Sequence, residues 1–63
     1  MIGERIGDYL KAHGIKQKFL VDKTGMSSNK ISDICRGTRN IDIVDYFSIC
    51  DALGVSLETF KEG

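Results

Sequence analysis

The chain has 63 residues, with nine basic and nine acidic side chains and a formal net charge of zero. This length suits one domain over residues 1–63, which buries only roughly 60% of the surface of its unfolded chain and leaves little room for a deep catalytic cleft. The first residues are charged where a signal peptide is apolar, and no apolar run approaches the ~20 residues of a membrane span, so we expect a cytoplasmic protein.

The spacing of apolar residues predicts an all-α fold of five helices. Most helix ends are marked by glycine, because glycine adopts the left-handed backbone conformation that closes a helix. Asp42 and Ser56 are expected to cap the fourth and fifth helices. The predicted helices cover about residues 3–13, 17–24, 28–36, 43–53 and 57–62, with Gly14, Gly25, Gly37 and Gly54 as stops of the first four.

The segment 17–37 is the most informative, because it predicts two short helices joined by a tight turn, a layout that suits entry into a DNA groove. Gly25 ends the first helix where a positive φ is needed, and Ser27 begins the second as its N-cap. The second helix is expected to bury Ile31 and Ile34. Four short polar residues then point outward and can contact base edges: Ser28, Asn29, Ser32 and Asp33.

Charge is distributed unevenly along the sequence although its sum is zero. Residues 14–40 hold six basic and two acidic side chains, a net charge of +4, whereas residues 41–63 hold one basic and five acidic side chains, a net charge of −4. The positive part coincides with the two short helices and predicts a basic face toward phosphates; a solvated mixed surface is the alternative. The basic residues expected to contact phosphates are Lys16, Lys18, Lys30, Arg36 and Arg39.

No metal, cofactor or catalytic constellation is expected. Cys35 and Cys50 stand 15 positions apart without a C-x-x-C pair, and His13 is the only histidine, so a zinc site cannot be assembled. Both cysteines fall on apolar helical positions and are predicted to be small buried hydrophobic residues. No nucleophile, base and orienting group occur together, so the sequence does not predict an enzyme.

Several short motifs occur in a characteristic order. In this order and spacing the sequence resembles the lambda-repressor-like, Cro and xenobiotic-response-element type of helix-turn-helix domain over nearly its whole length. The motifs are Gly14-Ile15 before Gln17, Leu20 with Gly25-Met26-Ser27, Ile31-Ser32 with Ile34, Arg36-Gly37 with Arg39-Asn40, and residues 52–57.

The resemblance implies a five-helix domain that binds double-stranded DNA, usually as a dimer on a pseudo-palindromic operator. Gln17 matches the glutamine that binds a phosphate and braces the recognition helix, and Ser27 matches the cap beside the DNA backbone. The loop after the recognition helix grips phosphates in this family and corresponds here to Arg36, Thr38, Arg39 and Asn40. The outward residues Ser28, Asn29, Ser32 and Asp33 fall where family members contact bases.

The sequence departs from the family pattern at several positions. Leu10 and Cys35 are both apolar where a basic and an acidic residue often pair, so packing is expected to replace a buried ion pair. Val21 stands in place of a usual alanine, and Ile41 in place of a common proline. Asp33 is an acid on the groove-facing side, and two explanations stay open: it accepts a hydrogen bond from cytosine N4, or it pairs within the helix with Lys30 or Arg36.

We therefore expect a sequence-specific transcriptional regulator, with repression as its mode, that associates with the nucleoid and takes no small-molecule ligand. The alternative is a module of the same fold that binds a protein, such as an antitoxin or an antirepressor, and binds DNA weakly. Val55, Leu57 and Phe60 form an apolar set near the acidic end and are predicted to contribute to a homodimer interface.

Overall fold

The computed structural model describes residues 2–61, which contain four α-helices and no strand. They are α1 (Ile2–Ala12), α2 (Gln17–Thr24), α3 (Ser28–Arg36) and α4 (Ile43–Leu53). The all-α prediction and the first four predicted helices are confirmed, with bounds that agree to within one residue. None of these helices has the length and apolar character needed to span a membrane.

The predicted fifth helix is wrong within the described residues, and its expected last residue, Glu62, lies outside them. Residues 57–60 form turns, in which the Lys61 N–H donates to the carbonyl of Glu58 at 3.1 Å. In an α-helix this N–H would donate to the carbonyl of Leu57 instead. That carbonyl accepts a hydrogen bond from the hydroxyl of Tyr46. The Leu57 carbonyl is therefore bonded to a side chain of α4 and not to the N–H that would continue a helix.

The side chains of Asp42 and Ser56 do not form the helix caps that were predicted for them. Asp42 occupies the N-cap position of α4 with extended backbone angles, but its side chain makes no capping hydrogen bond. The hydroxyl of Ser56 lies 3.3 Å from the hydroxyl of Thr59, so it contacts a side chain rather than a helix N–H. The start of α4 is thus defined by its backbone conformation alone.

One apolar core joins all four helices with the segment that follows α4. Leu10 lies in it and Cys35 packs against it half-buried, as expected if packing replaces an ion pair at these positions. Cys50 is buried, so the prediction that it acts as a small hydrophobic residue is confirmed. The buried core residues are Ile6, Leu10, Leu20, Ile31, Ile34, Ile49, Cys50 and Phe60.

Phe60 belongs to this core and does not lie on an open surface. Its side chain is 3% exposed, and its ring makes edge-to-face contacts with Tyr9 and Tyr46 at centroid distances of 5.4 and 6.4 Å. The prediction that Phe60 contributes to a dimer interface is therefore wrong for this conformation, because a domain of this size uses the ring to close its own core. Val55 is also packed against the core, whereas Leu57 is 44% exposed.

Two glycines allow α1 to lie directly on the backbone of α3. A Cβ atom at Gly3 would come within 2.1 Å of the carbonyl oxygen of Ile34, and one at Gly7 within 2.8 Å of the carbonyl oxygen of Cys35. Both glycines are buried inside α1. No side chain fits between the two helices at these points, so glycine sets their separation.

We predict that Gly7→Ala destabilises the domain by about 1–3 kcal/mol, because the added methyl group must push α1 away from a backbone carbonyl. Gly3→Ala should cost at least as much. Alanine is intrinsically favoured over glycine inside a helix by roughly 0.5–1 kcal/mol, so the expected sign is opposite to that of helix propensity.

Urea unfolding followed by circular dichroism measures this free energy. Asp8→Ala, on the exposed side of α1, is the matched control and should stay within about 0.5 kcal/mol of the parent protein. A Gly7→Ala protein as stable as the Asp8→Ala protein would show that the contact between α1 and α3 is not limiting.

Candidate nucleic-acid interface

The turn between α2 and α3 is held by glycine and by a threonine hydroxyl. Gly25 has φ of 76° and donates its N–H to the carbonyl of Val21 at 3.0 Å. The hydroxyl of Thr24 donates to the carbonyl of Leu20 at 2.6 Å and accepts from the N–H of Met26 at 3.2 Å. One side chain therefore binds both the end of α2 and the start of the turn. Sequence analysis did not identify Thr24, although a hydroxyl directly before a helix-ending glycine is a usable signal.

Ser27 caps the start of α3, as predicted. Its backbone is extended, with φ of −67° and ψ of 153°, and its Oγ accepts the N–H of Lys30 at 3.1 Å. This satisfies one of the backbone donors that the first turn of a helix leaves unpaired, a contribution of about 1 kcal/mol. The cap fixes where α3 begins relative to the turn.

The predicted division of α3 into a buried and an outward face is confirmed in its main features. Ile31 and Ile34 are fully buried. The four residues predicted to contact bases occupy the rest of the helix surface, where Ser28 and Asn29 are exposed and Ser32 and Asp33 are half-buried. The first turn of α3 is thus the part most open to a ligand.

Asp33 forms an ion pair with Arg36 on the surface of α3. The distance from Arg36 Nη2 to Asp33 Oδ1 is 2.5 Å, and the Arg36 side chain remains largely exposed. Of the two intrahelical partners considered for Asp33, the structure selects Arg36. Asp33, one of the residues predicted to contact bases, and Arg36, one of those predicted to contact phosphates, are thus bound to each other.

Lys30 forms an ion pair with Asp45, which lies in the first turn of α4. The distance from Lys30 Nζ to Asp45 Oδ2 is 2.7 Å, and the two side chains are only 31% and 16% exposed. In this arrangement Lys30 faces α4, contrary to its predicted role at a phosphate. Sequence analysis missed Asp45, because residues 15 positions apart on different helices leave no local pattern.

Of the residues after α3 that were predicted to contact phosphates, Thr38 is bonded to the end of the helix, and Arg39 and Asn40 are exposed. Thr38 donates both its N–H and its hydroxyl to the carbonyl of Asp33, at 3.1 and 3.2 Å. Its hydroxyl proton is therefore used inside the protein and is not available to a phosphate in this conformation. Arg39 and Asn40 are exposed, and Arg39 forms no ion pair within residues 2–61.

The front of α2 is exposed and carries two lysines beside Gln17. Lys16 occupies the N-cap position without a side-chain capping bond, so the predicted weak start of α2 is confirmed. Lys18 lies 3.7 Å from Asp22 in an exposed pair, which contributes only about 0–1 kcal/mol and leaves the lysine free to exchange partners. Gln17 is exposed at the first position of the helix.

The described residues contain two free cysteines and no group of three side chains that could hold a metal ion. Burial raises the pKa of both the Cys35 and the Cys50 thiols, so both thiols stay protonated near neutral pH. A protonated thiol is a weak nucleophile and a weak ligand.

A second exposed feature was not predicted and lies mainly on α4. We call it the apolar α4 face; it consists of Ile43, Val44 and Phe47 together with Leu57. The first two are each 68% exposed, and the other two are 47% and 44% exposed. Phe47, Leu57, Asp51 and Val55 also line a shallow groove of about 520 Å³. Periodicity assigned these α4 side chains to a helix but could not show which of its apolar residues the core leaves uncovered.

A helix-turn-helix family model matches residues 6–60, a range that includes α2, the turn, α3 and α4. Searches of curated proteins and of solved structures gave no significant match. The matched range, the Gly25 turn and the capped α3 agree with one another, and the chain belongs to the lambda-repressor/Cro-like helix-turn-helix family of DNA-binding domains.

Proposed function

We propose that this protein binds a specific double-stranded DNA site and represses transcription there, with α3 in the major groove. The observation that supports this most directly is the exposed first turn of α3, which follows a tight turn and is fixed by the Ser27 cap. A major groove about 12 Å wide admits one helix, and short polar side chains on its first turn can approach base edges.

Asn29 is the proposed principal base-reading residue. It is exposed, and no protein partner engages its amide within residues 2–61. An asparagine amide can form two hydrogen bonds with N6 and N7 of adenine, which discriminates between bases by about 1–3 kcal/mol. Ser28 beside it and Ser32 one turn later can add single hydrogen bonds.

Phosphate binding is assigned to side chains on both sides of α3. Lys16, Gln17 and Lys18 lie at the front of α2, and Arg39 and Asn40 follow the recognition helix. These side chains are exposed, and Lys16 and Arg39 have no acidic partner among the described residues. They can therefore supply the electrostatic part of binding, which positions a protein on the duplex without reading sequence.

Repression is the proposed mode because it requires only that the protein occupy its operator. We further propose a two-fold dimer, formed through the apolar α4 face rather than through Phe60. Such an interface would remove from water the exposed large apolar side chains of α4 and the segment after it, which are Ile43, Val44, Phe47 and Leu57. Two α3 helices would then bind half-sites about 34–36 Å apart.

The second candidate function, binding of a protein with little affinity for DNA, is favoured by one observation. Both basic residues of α3, Lys30 and Arg36, are already paired with carboxylates. A helix without a free cation is a weak ligand for phosphates. Salt-dependent binding to duplex DNA decides between the two functions, because the DNA-binding function requires it.

We predict that selection from a random duplex pool yields a palindromic site, and that Asn29→Ala weakens binding to that site by about 1–3 kcal/mol per half-site, because each subunit loses two hydrogen bonds to a base. Fluorescence anisotropy gives the Kd for the selected and for a scrambled duplex. Thr59→Ala, in the turn after α4, is the control and should not change the Kd for either duplex. Equal losses for Asn29→Ala on both duplexes would mean that α3 is not the recognition helix.

Asp33→Ala should strengthen binding to all duplexes alike, because it removes a negative charge and releases Arg36 toward phosphates. The ion pair with Arg36 leads us to this outcome. Binding measured across single-base variants of the selected site provides the test. If preference is relaxed at one base pair per half-site instead, Asp33 reads a base and the pair with Arg36 opens on DNA.

Self-association should be lost in Val44→Glu, because a charge at an exposed position of the apolar α4 face cannot be covered at low cost. Phe19→Glu makes the same change of charge at an exposed apolar residue of α2 and should leave self-association intact. Sedimentation equilibrium of the parent protein and both variants measures this. A parent protein that is monomeric at all concentrations and protects a single half-site in footprints contradicts the dimer.

A further inference from the structure

Both basic side chains of α3 form ion pairs, one with a residue of the same helix and one with a residue of α4. They are Lys30 and Arg36. Arg36 pairs with Asp33 on the same helix, whereas Lys30 pairs with a carboxylate that belongs to another helix. The Lys30–Asp45 pair has a length of 2.7 Å, which is that of a direct charge-assisted hydrogen bond, and it is more buried than the Arg36–Asp33 pair.

Lys30 is held at both ends. Its backbone N–H donates to the Ser27 hydroxyl at 3.1 Å, and its side-chain Nζ lies 2.7 Å from Asp45 Oδ2. The lysine side chain is 31% exposed and bound at its tip, so in this structure its ammonium group is directed at α4 and not at the solvent in front of α3. Exposed lysines such as Lys16 are under no such restraint.

Asp45 is well placed to keep Lys30 in this position. It lies in the first turn of α4, where the helix dipole favours a negative charge, and its side chain is 16% exposed. Limited access of water strengthens the attraction between the two charges relative to an exposed pair. Removing the carboxylate would leave the ammonium group half-buried without a partner, and the lysine would then extend toward solvent.

We infer that Asp45 is a specificity-determining residue, which withholds Lys30 from DNA and thereby limits affinity for duplexes of any sequence. The inference rests on the proposed DNA-binding function and adds a role for a residue outside the helix-turn-helix. A free lysine on the first turn of α3 can reach phosphates in many poses of a loosely bound duplex. Restraining it reduces non-specific binding more than binding at a site that base contacts already fix.

The test uses a scrambled duplex as probe and compares the intact protein with Asp45→Asn over a range of salt concentrations. Each phosphate contact contributes about 0.9 to the slope of log K against log salt, which corresponds to roughly five- to tenfold in affinity at 0.1 M salt. We expect Asp45→Asn to bind the scrambled duplex tighter by this factor for each bound subunit, with a slope steeper by about 0.9 per subunit. Its preference for the selected site over the scrambled duplex should fall.

Three variants separate release of Lys30 from a general change of charge. Asp8→Asn removes a carboxylate from the exposed side of α1 and should increase affinity by less than about twofold, since it frees no lysine. Lys30→Met in the Asp45→Asn background should abolish the gain. Asp45→Glu keeps the carboxylate and should bind as the parent protein does. Asp45→Ser replaces Asp45→Asn in the same comparison if the asparagine variant does not fold by circular dichroism.

A gain for Asp45→Asn no larger than that of Asp8→Asn, or one that persists without Lys30, overturns the inference while the proposed function stands. Absence of salt-dependent duplex binding by the parent protein and by every variant overturns the proposed function and the inference with it.

Discussion

Direct contact between the backbones of α1 and α3 is the constraint on which the rest of this domain depends. Gly3 and Gly7 place α1 against the carbonyl groups of Ile34 and Cys35, in the last turns of the recognition helix. That contact fixes one end of α3, and the Ser27 cap with the Thr24 hydroxyl fixes the other. A helix positioned at both ends can present its first turn in a defined orientation, which sequence-specific contact with bases requires.

The charges of α3 are largely neutralised within the domain. The chain has no net charge, and both cations of α3 are paired. Under the proposed function, affinity for phosphates would be left to flanking residues such as Lys16 and Arg39. Because a binder of this kind gains little from charge alone, its occupancy of DNA would depend on base contacts and on a second subunit. The uneven charge of the two halves of the sequence is thus partly balanced within the fold, since Asp45 in the acidic half meets Lys30 in the basic half.

Local sequence predicted what local interactions determine. The four helices, the Gly25 turn, the Ser27 cap and the burial of Ile31 and Ile34 depend on residues within a few positions of one another, and these predictions are confirmed. The family resemblance is confirmed, whereas the fifth helix, which both the apolar spacing and the resemblance predicted, is not formed by residues 57–61.

Features created by distant parts of the chain were not predictable in the same way. Phe60 has a suitable position for an interface in the sequence, yet its ring lies between Tyr9 and Tyr46, which belong to two other helices. The pair of Lys30 with Asp45 and the close approach at Gly7 likewise require the packing of helices to be known. Neither feature could be predicted, because periodicity identifies the apolar face of a helix but not the element that packs against it.

The segment after α4 forms turns rather than a helix within the described residues, and side-chain contacts attach it to the rest of the domain. The Tyr46 hydroxyl holds the Leu57 carbonyl, and the Phe60 ring fills the space beside Tyr9. Opening of this segment would remove the Phe60 ring from the core and expose the rings of Tyr9 and Tyr46 to water. Because the described part of the segment contains no helix, we expect its amides to exchange with solvent hydrogen before those of α3. The end of the core is thus closed by a short segment of turns, and the stability of that closure depends on one phenylalanine ring.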